Sequence, residues 1–117
     1  MPDIHLDDAV LAALQDVMED EYPVLLDTFV ADSEERLRLI QQAEREADAQ
    51  ALRLAAHSFK GSCSNMGATL LASLCKQLED AGRREALELA PELIEQIERE
   101  FAIVRILLKT ERQRYRI

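Results

Sequence analysis

The chain has no tryptophan, two tyrosines and three phenylalanines, and only three glycines and three prolines among its 117 residues. So few turn formers exclude an architecture of many short strands, which needs glycine- and proline-rich turns at close intervals. No apolar run approaches the roughly 20 residues that span a bilayer. The opening Met1-Pro2-Asp3 is acidic, where an export signal would be basic and then apolar. Neither membrane insertion nor export is expected, and a cytoplasmic location is. Cys63 and Cys75 lie twelve residues apart with no C-x-x-C pairing, so zinc and dithiol-redox motifs are absent and buried thiols in a reducing compartment are expected. Bases are outnumbered, 14 against 23 acids for a net charge of −9, which argues against a nucleic-acid partner.

What is present is a helix-former's composition, 48% apolar and rich in Ala, Leu, Glu, Gln and Arg. The length suits one domain with its own core and is too short for two. Punctuation falls at plausible helix boundaries: Asp7 can cap a short first helix, Pro23 suits the first turn of a second, Asp48 can cap a third, and Gly67 and Gly82 fit C-terminal stops. Between these marks the apolar spacing is helical, with Leu26, Val30, Leu37 and Ile40 in the second segment and Leu71, Leu74, Cys75 and Leu78 in the fourth. In the last segment Leu87, Ala90, Ile94, Ile97, Phe101, Val104 and Leu108 follow the 3-4 spacing of a bundle seam. Pro91 there marks either an early helical position or a preceding turn. The expected fold is all-α, an antiparallel up-down four-helix bundle with a short additional N-terminal helix. It forms a single domain over 1–117, with a core over about 7–110 and a basic C-terminal tail, 109–117.

The third segment carries two different faces. Leu52, Ala55, Ala56, Phe59, Cys63 and Met66 form an apolar stripe, while Arg53, His57, Lys60, Gly61 and Ser64 fall on another side. His57 is therefore expected to face solvent. Gly61 stands one turn after it in mid-helix, where glycine costs about 1 kcal/mol relative to alanine, so a steric reason is expected. Either a partner or a phosphoryl group approaches the imidazole there, or two helices pack closely. Lys60 sets an ammonium on the same side. An exposed imidazole beside a cation and a gap suits acceptance of an anionic group such as phosphoryl, whose transfer depends on positioning and charge stabilisation.

Other chemistries lack their residues. Leu54 stands three before His57, so there is no E-x-x-H pair, and there is no H-x-x-x-H either, which argues against a metal. A G-x-x-x-x-G-K-[ST] loop and glycine-rich nucleotide turns are missing, so nothing in the chain suits it to bind ATP. Neither cysteine is followed by arginine at phosphate-loop spacing. His5 falls in the N-terminal segment, which is expected to be mobile, and is expected to be a bystander.

The run His57-Ser58-Phe59-Lys60-Gly61-Ser62-Cys63-Ser64-Asn65-Met66-Gly67-Ala68 resembles the signature of histidine-containing phosphotransfer (HPt) domains of multistep two-component phosphorelays. That signature is His, any residue, an apolar residue, Lys, Gly, two small residues and then an apolar-Gly pair, here Met66-Gly67. Leu71, Leu74, Cys75, Leu78 and Glu79 resemble the family's next helix, and the likeness runs over about 7–110. Phe59, where Leu is common, and Cys63 and Asn65 are minor departures.

The resemblance implies that His57 accepts a phosphoryl group from the aspartate of one receiver domain and passes it to that of another, as a phosphocarrier without kinase activity of its own. It implies that Lys60 offsets phosphoryl charge and that Gly61 lets the receiver loop dock. Glu79, where several relatives carry Gln, would accept a hydrogen bond from the other imidazole nitrogen and leave Nε2 as nucleophile, with Gln77 in reserve. Arg53, Ser58, Ser62, Ser64 and Arg83 would line or support the docking surface. No cofactor is tightly bound and no metal is held on this reading, because receiver partners would supply Mg. The partners implied are receiver domains of hybrid histidine kinases and response regulators, met by a monomer.

Two other readings compete. The phosphoacceptor bundle of a histidine kinase commonly has an acidic residue after its histidine, where Ser58 stands here, and it needs two chains for four helices. A noncatalytic helical adaptor would use the same face for binding alone. The distribution of charge favours an acidic partner at that face: residues 1–50 hold 14 acids and 3 bases, whereas 51–84 hold 2 acids and 5 bases, namely Arg53, Lys60, Lys76, Arg83 and Arg84. Such a basic island would steer the acidic phosphorylation site of a receiver towards His57.

Overall fold

The computed structural model describes residues 5–115, which form five α-helices and no strand among them. These are α1 (Asp8–Met18), α2 (Tyr22–Arg45), α3 (Ala49–Asn65), α4 (Thr69–Arg83) and α5 (Ala90–Arg112), with 3₁₀ turns at Glu19–Glu21 and Leu87–Leu89. Short connections force neighbours antiparallel, so α2 to α5 run up and down as a four-helix bundle. Helix α3 packs most extensively on α4. The fold is the expected one, short N-terminal helix included.

The local causes are mostly those in the sequence. Asp7 accepts from the Ala9 amide at 2.9 Å and Asp48 from the Ala51 amide at 3.0 Å, each satisfying an amide the first helical turn leaves open. Asp48 also ends the preceding helix, since its own N–H donates to the Ala43 carbonyl at 2.9 Å. Pro23 occupies the first turn of α2. Pro91 does the same in α5 and a 3₁₀ turn precedes it, so both alternatives at that boundary hold together. Gly67 closes α3 at φ +75°, and the Ala68 amide reaches back to the Cys63 carbonyl at 2.9 Å, the six-residue closure of a helix C-terminus.

Gly82 departs from expectation. It lies inside the last turn of α4, and the left-handed residue that ends this helix is Glu85 at φ 54°. A Cβ on Gly82 would meet the Ala49 carbonyl oxygen, the Arg53 amide nitrogen and the Arg53 Cβ, all at 3.0 Å. This glycine is therefore a close-approach residue that lets the end of α4 rest on the start of α3.

The core runs the length of the bundle. Leu26, Phe29 and Ile40 of α2 face Leu52, Ala56, Phe59 and Cys63 of α3, Leu71, Leu74, Cys75 and Leu78 of α4, and the seam from Ile94 to Leu108 of α5. Phe59 and Phe101 meet edge to face with centroids 6.2 Å apart, the favoured geometry for an aromatic pair. At one end Tyr22, fully buried, donates to Glu111 at 2.8 Å and stacks edgewise on Tyr115. Burial, then the Glu111 bond, pushes the Tyr22 phenol far above its ordinary range. The basic tail is partly helix, since Lys109 and Arg112 fall within α5; Arg116 lies outside the described residues.

His5 corrects another expectation. It is tied to the bundle, because its Nδ1 lies 2.6 Å from the buried Glu100 carboxylate, while the Asp7 amide donates to the Gly67 carbonyl at 2.9 Å. With Leu6 and Leu11 buried, this segment covers one end of the bundle. No helix among the described residues is long and apolar enough to cross a membrane.

Candidate functional site

Helix α3 continues unbroken through Gly61, which places His57 on its outer face with 63% of the side chain exposed. The ring is nonetheless held. Its Nδ1 lies 2.8 Å from Oε2 of Glu79, a carboxylate on α4 that is only 4% exposed. Oε1 of the same carboxylate lies 2.7 Å from Lys60 Nζ, and a guanidinium nitrogen of Arg83 stands 3.5 Å from Oε2. One acid between α3 and α4 thus organises three basic side chains.

Burial pushes the Glu79 carboxyl up, but the Lys60 ammonium and then the hydrogen bond from His57 outweigh it and hold it below its ordinary value. An ionised carboxylate can only accept, so the Nδ1 of His57 is the donor. The neutral ring then carries its free lone pair on Nε2, which has no partner among the described residues. That is an oriented lone pair at the protein surface, chemically suited to attack an electrophile.

The Lys60 ammonium is not free in solvent. Its side chain is 28% exposed and tied to Glu79. Outside its own stretch of helix backbone, no atom lies within 4 Å of the place a Cβ on Gly61 would occupy, so close helix packing does not explain it, and the space beside His57 is open. The tight packing belongs instead to Gly82. Of the remaining expected residues, Arg53 is half-buried against Gly82, Ser62 is half-buried, and Ser58 and Ser64 are exposed. Arg83 is exposed and bonded to Asp80 at 2.7 Å. Gln77 is exposed in a cleft with Asp80, Glu88 and Glu92 on the α5 side of α4, leaving Glu79 as the residue on the ring.

Sequence reasoning missed Arg36. This α2 residue donates from Nε to the Ser58 hydroxyl at 2.7 Å, and only the pairing of α2 with α3 reveals it. Cys63 and Cys75 are fully buried and unbridged. The neighbouring Cys75 thiol, and then burial, pushes the Cys63 thiol far up, so it is no thiolate nucleophile. No cluster of three metal-ligating side chains exists among the described residues.

Comparison with known proteins bears on the whole chain. The family model of the Hpt domain matches residues 24–107. The crystal structure of histidine-containing phosphotransfer protein B (HptB) from Pseudomonas aeruginosa PAO1 is similar at 72% identity and a TM-score of 0.95, covering 96% of this chain and 97% of that one. The HPT domain of a sensor hybrid histidine kinase from Shewanella has the same fold at 19% identity and a TM-score of 0.81, covering 98% and 100%. A comparison with curated proteins finds no match.

Proposed function

Because the chain belongs to the Hpt domain family, whose role is histidine phosphotransfer in phosphorelay signalling, we propose that His57 is the residue on which it carries the phosphoryl group. The observation behind this is the exposed imidazole whose Nδ1 is held at 2.8 Å by the buried Glu79 carboxylate.

The Nε2 lone pair attacks phosphorus of a receiver's aspartyl phosphate, the N–P bond forms, and the P–O bond to the acyl oxygen breaks, its electron pair leaving on the aspartate carboxylate. The ring becomes cationic as the bond forms, and the Nδ1 proton stays shared with Glu79, whose fixed negative charge offsets that developing charge. Reversal onto the aspartate of a second receiver completes the relay. Lys60 holds Glu79 in place and lies on the phosphoryl side of the helix, and Gly61 gives the receiver room. Mg enters with the receiver, this chain holds no tightly bound cofactor, and it acts as a cytoplasmic monomer without kinase activity. The four helices α2 to α5 come from one chain, which favours this reading over a kinase phosphoacceptor bundle.

The test is incubation with a phosphorylated receiver domain. Acid-labile, base-stable label is expected on the wild type and not on His57→Gln, and none is expected from ATP alone. Label persisting in His57→Gln would sink the assignment.

A further inference from the structure

Stepping about 100° per residue around α3, the side chains flanking His57 divide into two groups. Lys60 and Arg53 fall on the side of α4, where Lys60 meets Glu79. Gly61, Leu54 and Ser58 fall on the side of α2, where Ser58 meets Arg36. The gap left by Gly61 therefore opens towards α2, away from the basic hairpin of α3 and α4. From Ser58, one turn before Gly61, an open groove of about 420 Å³ runs between α2 and α3 towards the start of α3, lined by Leu39, Ala51, Leu54 and Ala55, with Arg36 and Ser58 among its walls. Leu54 is 52% exposed and Leu39 37%.

Arg36 differs from its neighbour Arg38, which is paired with Glu35 at 2.6 Å. No carboxylate among the described residues pairs with Arg36. Its Nε is fixed by Ser58, which leaves the two terminal nitrogens as a pre-oriented fork, the geometry that recognises a carboxylate with two parallel hydrogen bonds.

We propose that Arg36, braced by Ser58, is a docking and specificity residue that binds a surface carboxylate of the incoming receiver domain on the α2 side of His57, while an apolar side chain of that receiver covers Leu54 and Leu39. This rests on the phosphocarrier reading above. It assigns recognition to α2, which lies within the acidic segment 1–50, and leaves the phosphoryl chemistry to α3 and α4.

The experiment measures transfer to this protein from a receiver domain phosphorylated with acetyl phosphate and Mg, over a range of receiver and salt concentrations. Arg36→Gln should raise KM for the receiver roughly five- to tenfold, leave the saturating rate within about twofold and flatten the salt dependence of kcat/KM, as loss of an interfacial charge does. Ser58→Ala, which keeps the charge but frees the fork, should raise KM by a smaller factor and keep the salt slope. Arg38→Gln should change neither. Melting curves show whether either helix has loosened. Unchanged KM and salt slope in Arg36→Gln, with normal transfer by the wild type, overturn the docking role alone. Failure of the wild type to take label from any receiver overturns the phosphocarrier reading and this role with it.

Discussion

Replacing Glu79 by alanine should slow phosphoryl uptake by His57 without dissolving the bundle. The carboxylate accepts one charge-assisted hydrogen bond from the ring at 2.8 Å, and such bonds contribute about 1.5–3 kcal/mol. At 1.36 kcal/mol per decade of rate, the loss corresponds to about 10- to 150-fold, the range expected when the partner that orients a working histidine is removed. Lys60, 28% exposed, can turn to water once its partner is gone, so the fold should survive. Glu79→Gln separates orientation from charge. Its amide oxygen can still accept from Nδ1–H, so a rate well above that of the alanine variant is expected, reduced only by the missing negative charge. The assay is single-turnover transfer from a phosphorylated receiver domain at saturating concentration, so that docking does not contribute. A saturating rate for Glu79→Ala within twofold of wild type would refute the view that this carboxylate sets the tautomer and offsets the ring's developing charge.

Gly61→Gln should block transfer severely while raising the melting temperature slightly, because the new Cβ meets nothing within 4 Å and glycine costs a helix interior up to about 1 kcal/mol; transfer kinetics beside thermal melts check both halves. Gly82→Ala should do the opposite in stability, losing about 1–3 kcal/mol by overpacking, since its Cβ would sit 3.0 Å from backbone atoms of Ala49 and Arg53; a denaturant midpoint equal to wild type would count against this. The pH dependence of stability follows from Glu79, whose carboxyl is held below the ordinary 4.5 in the fold. Its contribution is complete above that value and is lost as pH falls through the lower folded value. Denaturation curves from pH 7 to 3 should therefore fall less steeply in acid for Glu79→Gln than for wild type.

The bundle was legible because its instructions are local. Asp7, Asp48, Pro23 and Gly67 act within a few residues of themselves, and the seam from Ala90 to Leu108 repeats at helical spacing. The turns after α2 and α4 were less so, because Ala47 and Glu85 adopt positive φ values of 51° and 54° that nothing in their side chains announces. There tertiary packing and the closing bonds from Asp48 to Ala43 and from Ala86 to Ala81 override a local preference. At the site, His57, Lys60 and Gly61 share one helix face and could be read together. Glu79 required the register of α4 against α3, which the family resemblance supplied. Arg36 required the pairing of α2 with α3, for which the chain carries no short-range signal.

The two glycines show why residue type alone does not disclose purpose. Both stand in helices where glycine is unfavourable, and one was expected to admit a partner or pack closely while the other was expected to end a helix. The space around each decides. Gly61 faces emptiness beside an oriented imidazole, and Gly82 faces the backbone of α3 at 3.0 Å. The same distinction applies to charge. The basic stretch from 51 to 84 stands out along the chain, yet two of its five bases, Lys60 and Arg83, are already paired with Glu79 and Asp80 of the same hairpin, which leaves Arg53, Lys76 and Arg84 without an ion pair among the described residues. A guanidinium without an acidic partner lies on α2, within the most acidic part of the chain, next to the residue that follows His57. Attraction for an acidic partner depends on the charge left uncompensated on a face, and helix pairing, more than position along the chain, determines which charges those are.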